Sequence, residues 1–501
     1  MDLILRFLAR FLSLVCVLFA FSFLAACGGN AGSSETEALR TVQGTRQITY
    51  VTDAGTQTVP DDTTKFVIAA LVPTGSGGYT TIPGTGSPTG SFTIPNVPGG
   101  NYLLQSGCCT FIATSSSALD TGYSQVGRSN RQLPTQPPSI TFSLTNTSPL
   151  HSTDALQVST SNTGSEMFWL LEDFVNPPPG WAPPLPVGST SFSPTVPWTG
   201  YLNNASQGDA AYITELVSQS GGFPLVSLQK ASGPLIYTLT DGTPATLSTT
   251  TLADVPRSQS AHLAFKGSAF AALASGINPQ ATASDTDIYF SVSPADVSLG
   301  YIGGAPALIA SNNPGSPITT DVDFGAVSYG NPFSSSWQPF VRAYQYVEMG
   351  YPVAGSAVPL GARGTVHVSL AASQSAAIAP LVGPVANPTI NNQNFFANQS
   401  GVGTTPTLSW NPPQFGTATG YRIYVNLLYV NSQQQPAGET VAEFYTAGTS
   451  LTLPSNILLA GNSYSIVITA LYNPTMDITQ SPFRVSIPFG QADALSGVFT
   501  P

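Results

Sequence analysis

Charge is what this chain of 501 residues has least of: Asp, Glu, Lys and Arg make up only 8% of it, against about 25% in a typical soluble protein. Solvent-facing positions therefore fall to Ser, Thr, Asn, Gln and Gly. Lysine is confined to Lys65, Lys230 and Lys266. A phosphate backbone is bound by clustered Lys and Arg; no such cluster occurs, which argues against a nucleic-acid partner. The histidines, His151, His262 and His367, lie far apart, so the His-Glu-x-x-His zinc pattern is absent. The Gly-x-Ser-x-Gly string of many serine hydrolases is also absent. Of the four cysteines, Cys16, Cys27, Cys108 and Cys109, the last two are neighbours and cannot staple distant parts of a fold. Only one segment is apolar enough to enter a bilayer.

What is present points to β-structure. Apolar residues make up 42% of the chain, enough for real cores, and 47 Gly with 43 Pro favour many turns over long helices. The length suits about three domains. The fold class expected is all-β: tandem β-sandwich modules following a cleaved signal peptide. One short helix is expected at Ser268–Ser275, ended by Gly276.

The start of the chain reads as an export signal. Arg6 and Arg10 form a basic region, and an apolar run from Phe11 to Phe23 follows. Leu24-Ala25-Ala26-Cys27 then gives way to a polar tether rich in Gly and Ser, residues 27–40. A basic stretch, an apolar core and small residues before a cut define a secretory signal, here residues 1–26. Leu24-Ala25-Ala26-Cys27 resembles the lipobox of bacterial lipoproteins. The resemblance implies cleavage before Cys27, acylation of its thiol and anchoring to a membrane; two or three acyl chains hold stably where one is marginal. The alternative is an uncleaved membrane helix, for which the apolar core is short. Gly28 rather than Asp after the cysteine implies the outer membrane of a Gram-negative cell. Loss of residues 1–26 removes Asp2, Arg6 and Arg10 and leaves the chain one unit more negative than its starting −11.

Three regions follow the tether. In 41–145, β-type runs at Gln47–Thr52, Lys65–Val72 and Ser91–Ile94 alternate with Gly-rich turns. The string Gly90-Ser91-Phe92-Thr93-Ile94-Pro95-Asn96-Val97-Pro98-Gly99-Gly100-Asn101-Tyr102 reads as a hairpin-like corner. It resembles the carboxypeptidase-regulatory-like β-sandwich, a relative of transthyretin, which implies a non-catalytic spacer or stabilising module. Residues 146–383 contain strand-like segments at Ala155–Ser159, Met167–Leu171, Ala211–Val217, Leu235–Leu239, Asp287–Val292 and Thr365–Leu370. They read as one large sandwich or two in tandem. In 384–490, Thr407-Leu408-Ser409-Trp410-Asn411-Pro412-Pro413, Gly420-Tyr421-Arg422-Ile423-Tyr424-Val425, Ser450-Leu451-Thr452-Leu453-Pro454 and Gly461-Asn462-Ser463-Tyr464 resemble a fibronectin type III domain. That implies a buried Trp410, Tyr421 on the third strand, and Tyr464 as a tyrosine corner. Asn426–Glu439 departs from the pattern and reads as an extended loop. Residues 491–501 read as a tail.

Several groups invite a chemical role. Asp285 with Asp287, and Asp321 with Asp323, have i,i+2 spacing that shares one strand face and suits calcium, a cation served by several hard oxygens; solvated acidic turns are the plain alternative. Glycosidases use two carboxylates about 5–10 Å apart, and Glu172-Asp173 is less apt because neighbours on a strand point to opposite faces. Trp181, in a Pro/Gly loop, and Trp337 are candidates to stack on a sugar or pack on a partner, against the alternative of rings tucked onto the sandwich. Cys108 and Cys109 are either two small apolar residues or a vicinal disulfide forming a flat apolar platform. The first functional expectation is a non-catalytic, membrane-anchored binding or scaffolding protein of the cell envelope that contacts protein or polysaccharide and needs no cofactor. The second is an anchored polysaccharide hydrolase with its site in 146–383.

Overall fold

The computed structural model describes residues 38–75, 77–160, 162–176, 184–219, 225–293, 305–313, 316–372 and 377–501. Cys27 and Trp181 lie outside the described residues, as do the signal and most of the tether. The chain divides into two units, Met1–Leu39 and Arg40–Pro501, and every strand and helix among the described residues belongs to the second. That unit is overwhelmingly strand, as an all-β multi-module fold requires.

An 18-stranded sheet runs through all three regions. From one edge the strands pair in the order Ser165–Leu170, Ala155–Thr160, Ala210–Ser218, Leu225–Ala231, Ala307–Asn313, Thr282–Ser293, Gln338–Tyr351 and Leu360–Ala371. It continues through Phe489–Leu495, Ser463–Tyr472, Gly420–Val430 and Pro436–Thr446. Then come Thr110–Thr114, Tyr102–Ser106, Ile68–Pro73 and Tyr79–Pro83. Along this path every pairing is antiparallel except Pro436–Thr446 with Thr110–Thr114, which is parallel. That join seats the first module on the last.

Period-two alternation explains the strands. In Gly420–Val430, Tyr421, Ile423 and Val425 are buried in one core while Arg422 and Tyr424 point to the other face. Smaller sheets close the apolar side of the long one. Ala386–Ile390, Thr407–Asn411 and Ser450–Thr452 pair with one another and cover a core of Trp410, Ile423, Phe444, Tyr464 and Ile466. Gln259–Lys266 pairs with Asp321–Tyr329 over Ile288, Phe290, Val341 and Val368. Ser139–Thr141 and Leu144–Thr145, read in the sequence with the first module, pair with segments near 191–197 and 245–251. Their Ile140, Phe142 and Leu144 pack with Trp198, Leu156 and Ile213. The middle region thus has two cores.

The helix forms at Gly267–Ala274, within a residue of its expected span. Three other expectations change. Ser91–Val97 and Tyr102–Ser106 do not pair with each other: the first pairs with Arg40–Thr45 and the second with Ile68–Pro73. The corner between them carries the chain from one sheet to another, with Asn96 at φ 57° and Gly100 at φ 87°. Asn426–Glu439 is mostly a continuation of two long paired strands, with its turn at 431–435; the apolar alternation through Leu428 and Val430 carries the ladder outward. Residues 491–501 are core: Ala492, Ala494, Leu495 and Phe499 are buried, and the strand Phe489–Leu495 lies between the middle and last modules.

Side chains reinforce the joins. Phe111 stacks on Phe444 with centroids 4.8 Å apart. Tyr79 Oη donates to the Thr452 carbonyl at 2.8 Å, and Arg484 pairs with Asp120 at 3.0 Å. Arg128 pairs with the fully buried Asp209 at 2.8 Å.

Candidate functional site: a charged and aromatic face

The strands from Thr282–Ser293 to Pro436–Thr446 give the long sheet two unlike faces. One carries Ile288, Phe290, Val341, Val366, Val368, Ile468, Ile423 and Phe444 into the cores. The other brings together Asp287, Tyr289, Arg342, Tyr344, Tyr346, His367, Gln491, Asp493, Arg422, Tyr424 and Glu443. Register places Tyr289 opposite Arg342, Tyr344 between Asp287 and His367, and Gln491 beside His367. Thr469 stands between Asp493 and Arg422, and Glu443 opposite Tyr424. In a chain this poor in charge, three of its arginines meet here.

The rings form a column. Arg363 lies over Tyr346, 4.5 Å from its centroid. Tyr346 stacks on Tyr344 at 5.7 Å and 1°, and Tyr344 on His367 at 4.2 Å and 3°. Arg342 covers Tyr289 at 5.1 Å and Arg422 covers Tyr424 at 4.8 Å. Such cation–ring contacts contribute about 0.5–2 kcal/mol each, more as water is excluded. Both faces of Tyr344 are occupied, by Tyr346 and His367.

Burial dominates the electrostatics. It raises the Glu166 carboxyl to about 7, against the pull of Arg342, whose Nη2 is 3.9 Å away. It raises Asp287 to about 6, helped by the neighbouring charge of Asp285. It lowers His367 to about 3, with Arg342 and Arg422 acting in the same direction. His367 Nε2 shares a 2.9 Å hydrogen bond with Ser369 Oγ. Asp493 is raised by burial, while Thr469 Oγ1 donates to it at 2.7 Å. The open end of the face is marked by Arg363 and Glu348, whose side chains are 48% and 50% exposed and 2.7 Å apart.

Of the residues singled out in the sequence, Asp285 and Asp287 belong to this face. Asp285 is bound by Arg363 Nη2 at 2.6 Å, and a register shift between Ala283 and Thr286 interrupts the strand beside it. Asp321 lies elsewhere, accepting from Lys266 Nζ at 2.8 Å and Ser268 Oγ at 2.6 Å. Asp323 meets His262 Nε2 at 3.0 Å and accepts from Gly325 N–H at 2.8 Å. Cationic or backbone donors thus meet Asp285, Asp321 and Asp323, and among the described residues no three His, Cys, Asp or Glu gather as metal ligands.

Trp337 is only 6% exposed. It stacks on Phe333 at 5.0 Å and donates its indole N–H to Asp53 at 2.6 Å, so its ring joins modules and is not offered outward. Trp410 is buried edge-to-face with Tyr421 at 5.3 Å. Tyr464 is buried, and its Oη accepts from Leu459 N–H at 2.9 Å. Cys108 and Cys109 are disulfide-bonded to each other in the turn before Thr110–Thr114, where the Cys109 carbonyl accepts from Glu443 N–H at 2.7 Å.

Sequence reading missed Asp154, Glu166 and Glu215. Asp154 and Glu215 are each 1% exposed, both with carboxyls raised by burial. Ser218 N–H donates to Asp154 at 2.8 Å, and Ser148 N–H to both Glu215 oxygens at 3.0–3.1 Å. A charged residue inside the apolar run 211–217 was the available signal for Glu215. This pair is closed to a polymer substrate.

Fold and site together define an all-β, multi-module protein with one charged and aromatic sheet face. No protein-family model matches the chain, and no curated protein is significantly similar to it.

Proposed function

We propose that this protein is an exported lipoprotein, anchored through Cys27 to the outer membrane, that binds or scaffolds at the cell envelope without catalysis. Leu24-Ala25-Ala26-Cys27 supports the anchor. The first module, with its Pro/Gly corner between sheets, is read as carboxypeptidase-regulatory-like. The last is read as fibronectin type III-like, supported by the four-strand sheet over Trp410 and the Tyr464 hydroxyl tied to Leu459. Binding is carried by one observation: the charged and aromatic face, whose outward groups at Arg363, Glu348 and Tyr346 are hydrogen-bonding edges suited to the hydroxyls of a polysaccharide or the polar surface of an envelope protein. The hydrolase reading is weaker, because the buried pair Asp154 and Glu215 has no access for a glycan chain.

The test uses the full-length chain in glycan-array and envelope pull-down assays, with a glycan-hydrolysis screen on the same sample. Binding that Arg363→Ala weakens, without hydrolysis, supports the reading. Turnover abolished by Glu215→Gln would replace it with the hydrolase. Cys27→Ala should prevent lipid labelling and membrane fractionation; unchanged labelling would remove the anchor.

A further inference from the structure

A second site lies on the apolar side of the long sheet, where the helix Gly267–Ala274 packs its Phe270 and Ala274 into the core. It does not depend on the charged face. The C-terminal turn of this helix, residues 383–388, Phe396 and the bend at Gln414 and Phe415 form a groove of about 380 Å³. Ligand pockets span about 300–1,000 Å³. No charged residue lines it, and its polar residues are Ser275, Asn387 and Gln414. Ser275 Oγ donates to the Ala272 carbonyl at 3.4 Å, within the helix end. The side chains of Asn387 and Gln414 are open to solvent and make no hydrogen bond among the described residues.

Two backbone features fix what the groove presents. Asn387 stands at φ 48°, in the left-handed region that few residues other than glycine adopt. A register shift between Ala386 and Thr389 interrupts its strand there, and bulges of this kind re-aim side chains beside binding sites. Phe415 is 42% exposed, yet its carbonyl accepts from Gly383 N–H at 2.9 Å. Gly416 follows at φ 70°, where a Cβ would collide with the Leu381 carbonyl. The ring is thus held by its backbone on both sides while remaining half open.

A fixed aromatic ring, two free amides and no charge match a pyranose. The C–H face of the sugar packs on the ring, and each amide brings one acceptor and two donors to the hydroxyls. We propose that this groove binds the terminal residue of a neutral oligosaccharide, stacked on Phe415 and hydrogen-bonded by Asn387 and Gln414. With no cation in the lining, an acidic sugar gains no counterion.

The experiment is saturation-transfer NMR on the full-length protein in nanodiscs, with cellotetraose, maltotetraose and chitotetraose as probes. At least one binds, with saturation strongest on the C–H protons of one terminal ring, and tetragalacturonate binds no better. Phe415→Ala should weaken that binding about three- to tenfold, the loss of one ring contact. Asn387→Gly suits the left-handed backbone and removes only the amide; it and Gln414→Ala should each weaken binding about three- to tenfold, one neutral hydrogen bond. Ala272→Trp, at an exposed helix position, should fill the groove and abolish binding. Binding by none of the three probes would overturn the proposal, as would binding that these variants leave intact and Arg363→Ala removes. Capture of decaproline that depends on Phe415, with no saccharide bound, would also overturn it and make the groove a peptide site. Asn387 and Gln414 are exposed, so their variants decide the matter even where Phe415→Ala disturbs the bend.

Discussion

The two faces of the long sheet are made by the same strands and solve opposite problems. The apolar face gathers Ile423, Phe444, Ile468, Val366 and Ile288 under smaller sheets, and its contribution scales with area removed from water, about 25 cal/mol per Å². The other face holds guanidinium, carboxyl and phenol groups at low exposure, where every charge must be compensated by a ring, a hydroxyl or an opposite charge. Part of this protein's small complement of charge is thus gathered on one sheet face. Stability should therefore be governed by the apolar face, and pH response and binding by the charged one.

The largest effect tests the apolar face. Phe444→Ala removes a fully buried ring stacked on Phe111 and should cost about 3–5 kcal/mol in urea denaturation. Because it sits at the join of the first and last modules, the first module should become protease-sensitive at lower denaturant. A loss below about 1 kcal/mol, far under the usual cost of such a truncation, would show that the join is not maintained by this core.

The pH response should come next. His367 is lowered to about 3, so the folded protein binds fewer protons there than the unfolded chain between about pH 3 and 6.5. Its contribution is full above about pH 6.5 and is lost as pH falls, at up to about 1.4 kcal/mol per pH unit. Glu166 and Asp287 are raised to about 7 and 6, so they favour the folded state at low pH and lose that advantage as pH rises from about 4 towards 7. Chemical denaturation of His367→Gln between about pH 4 and 7 should show less acid destabilisation than the native chain. Glu166→Gln should show less loss on raising pH over about 5–7. An unchanged pH profile in both would break the contrast between the faces.

A smaller loss is expected at the last module. Tyr464→Phe removes the acceptor of Leu459 N–H and should cost about 1–2 kcal/mol, read as a lower melting temperature. Smallest in stability is Arg363→Ala. Its side chain is about half exposed, and its ion pairs with Glu348 and Asp285 should contribute under about 1 kcal/mol. The same substitution should weaken ligand capture, so a variant as stable as the native chain but deficient in binding would separate the two roles of the sheet.

Much of the local structure was legible. Gln47–Thr52, Ala155–Thr160 and the helix at Gly267–Ala274 follow from period-two alternation or a short Ala-rich run closed by Gly276. The burial of Trp410 and the place of Tyr464 at a turn were expected from the resemblance of their segments to a fibronectin type III domain. Pairing was harder to read. Ser91–Val97 and Tyr102–Ser106 are separated by a short turn yet belong to different sheets. Pro98, Gly99 and Gly100 turn the chain between layers, where a hairpin fits the same residues equally well. The extension of Gly420–Val430 was hidden by polar residues that alternate with Leu428 and Val430 on an open strand pair. For the candidate site, Arg342, Arg363 and Arg422 looked like isolated charges in separate strands, and Glu166 gave no pattern at all.

Local sequence is enough to establish that the described chain is β-structured, where most strands begin and end, and which side chains alternate to each face, since these depend on neighbours within a few residues. Long-range folding alone settles that one sheet threads all three modules, that Phe489–Leu495 is the strand between the last two, and that Arg363, Tyr346, Tyr344 and His367 stack in one column. The physical cause is register. A strand's pattern states what it can bury, but its partner is chosen by long-range pairing, and a shift of one residue would turn this whole charged row into the core.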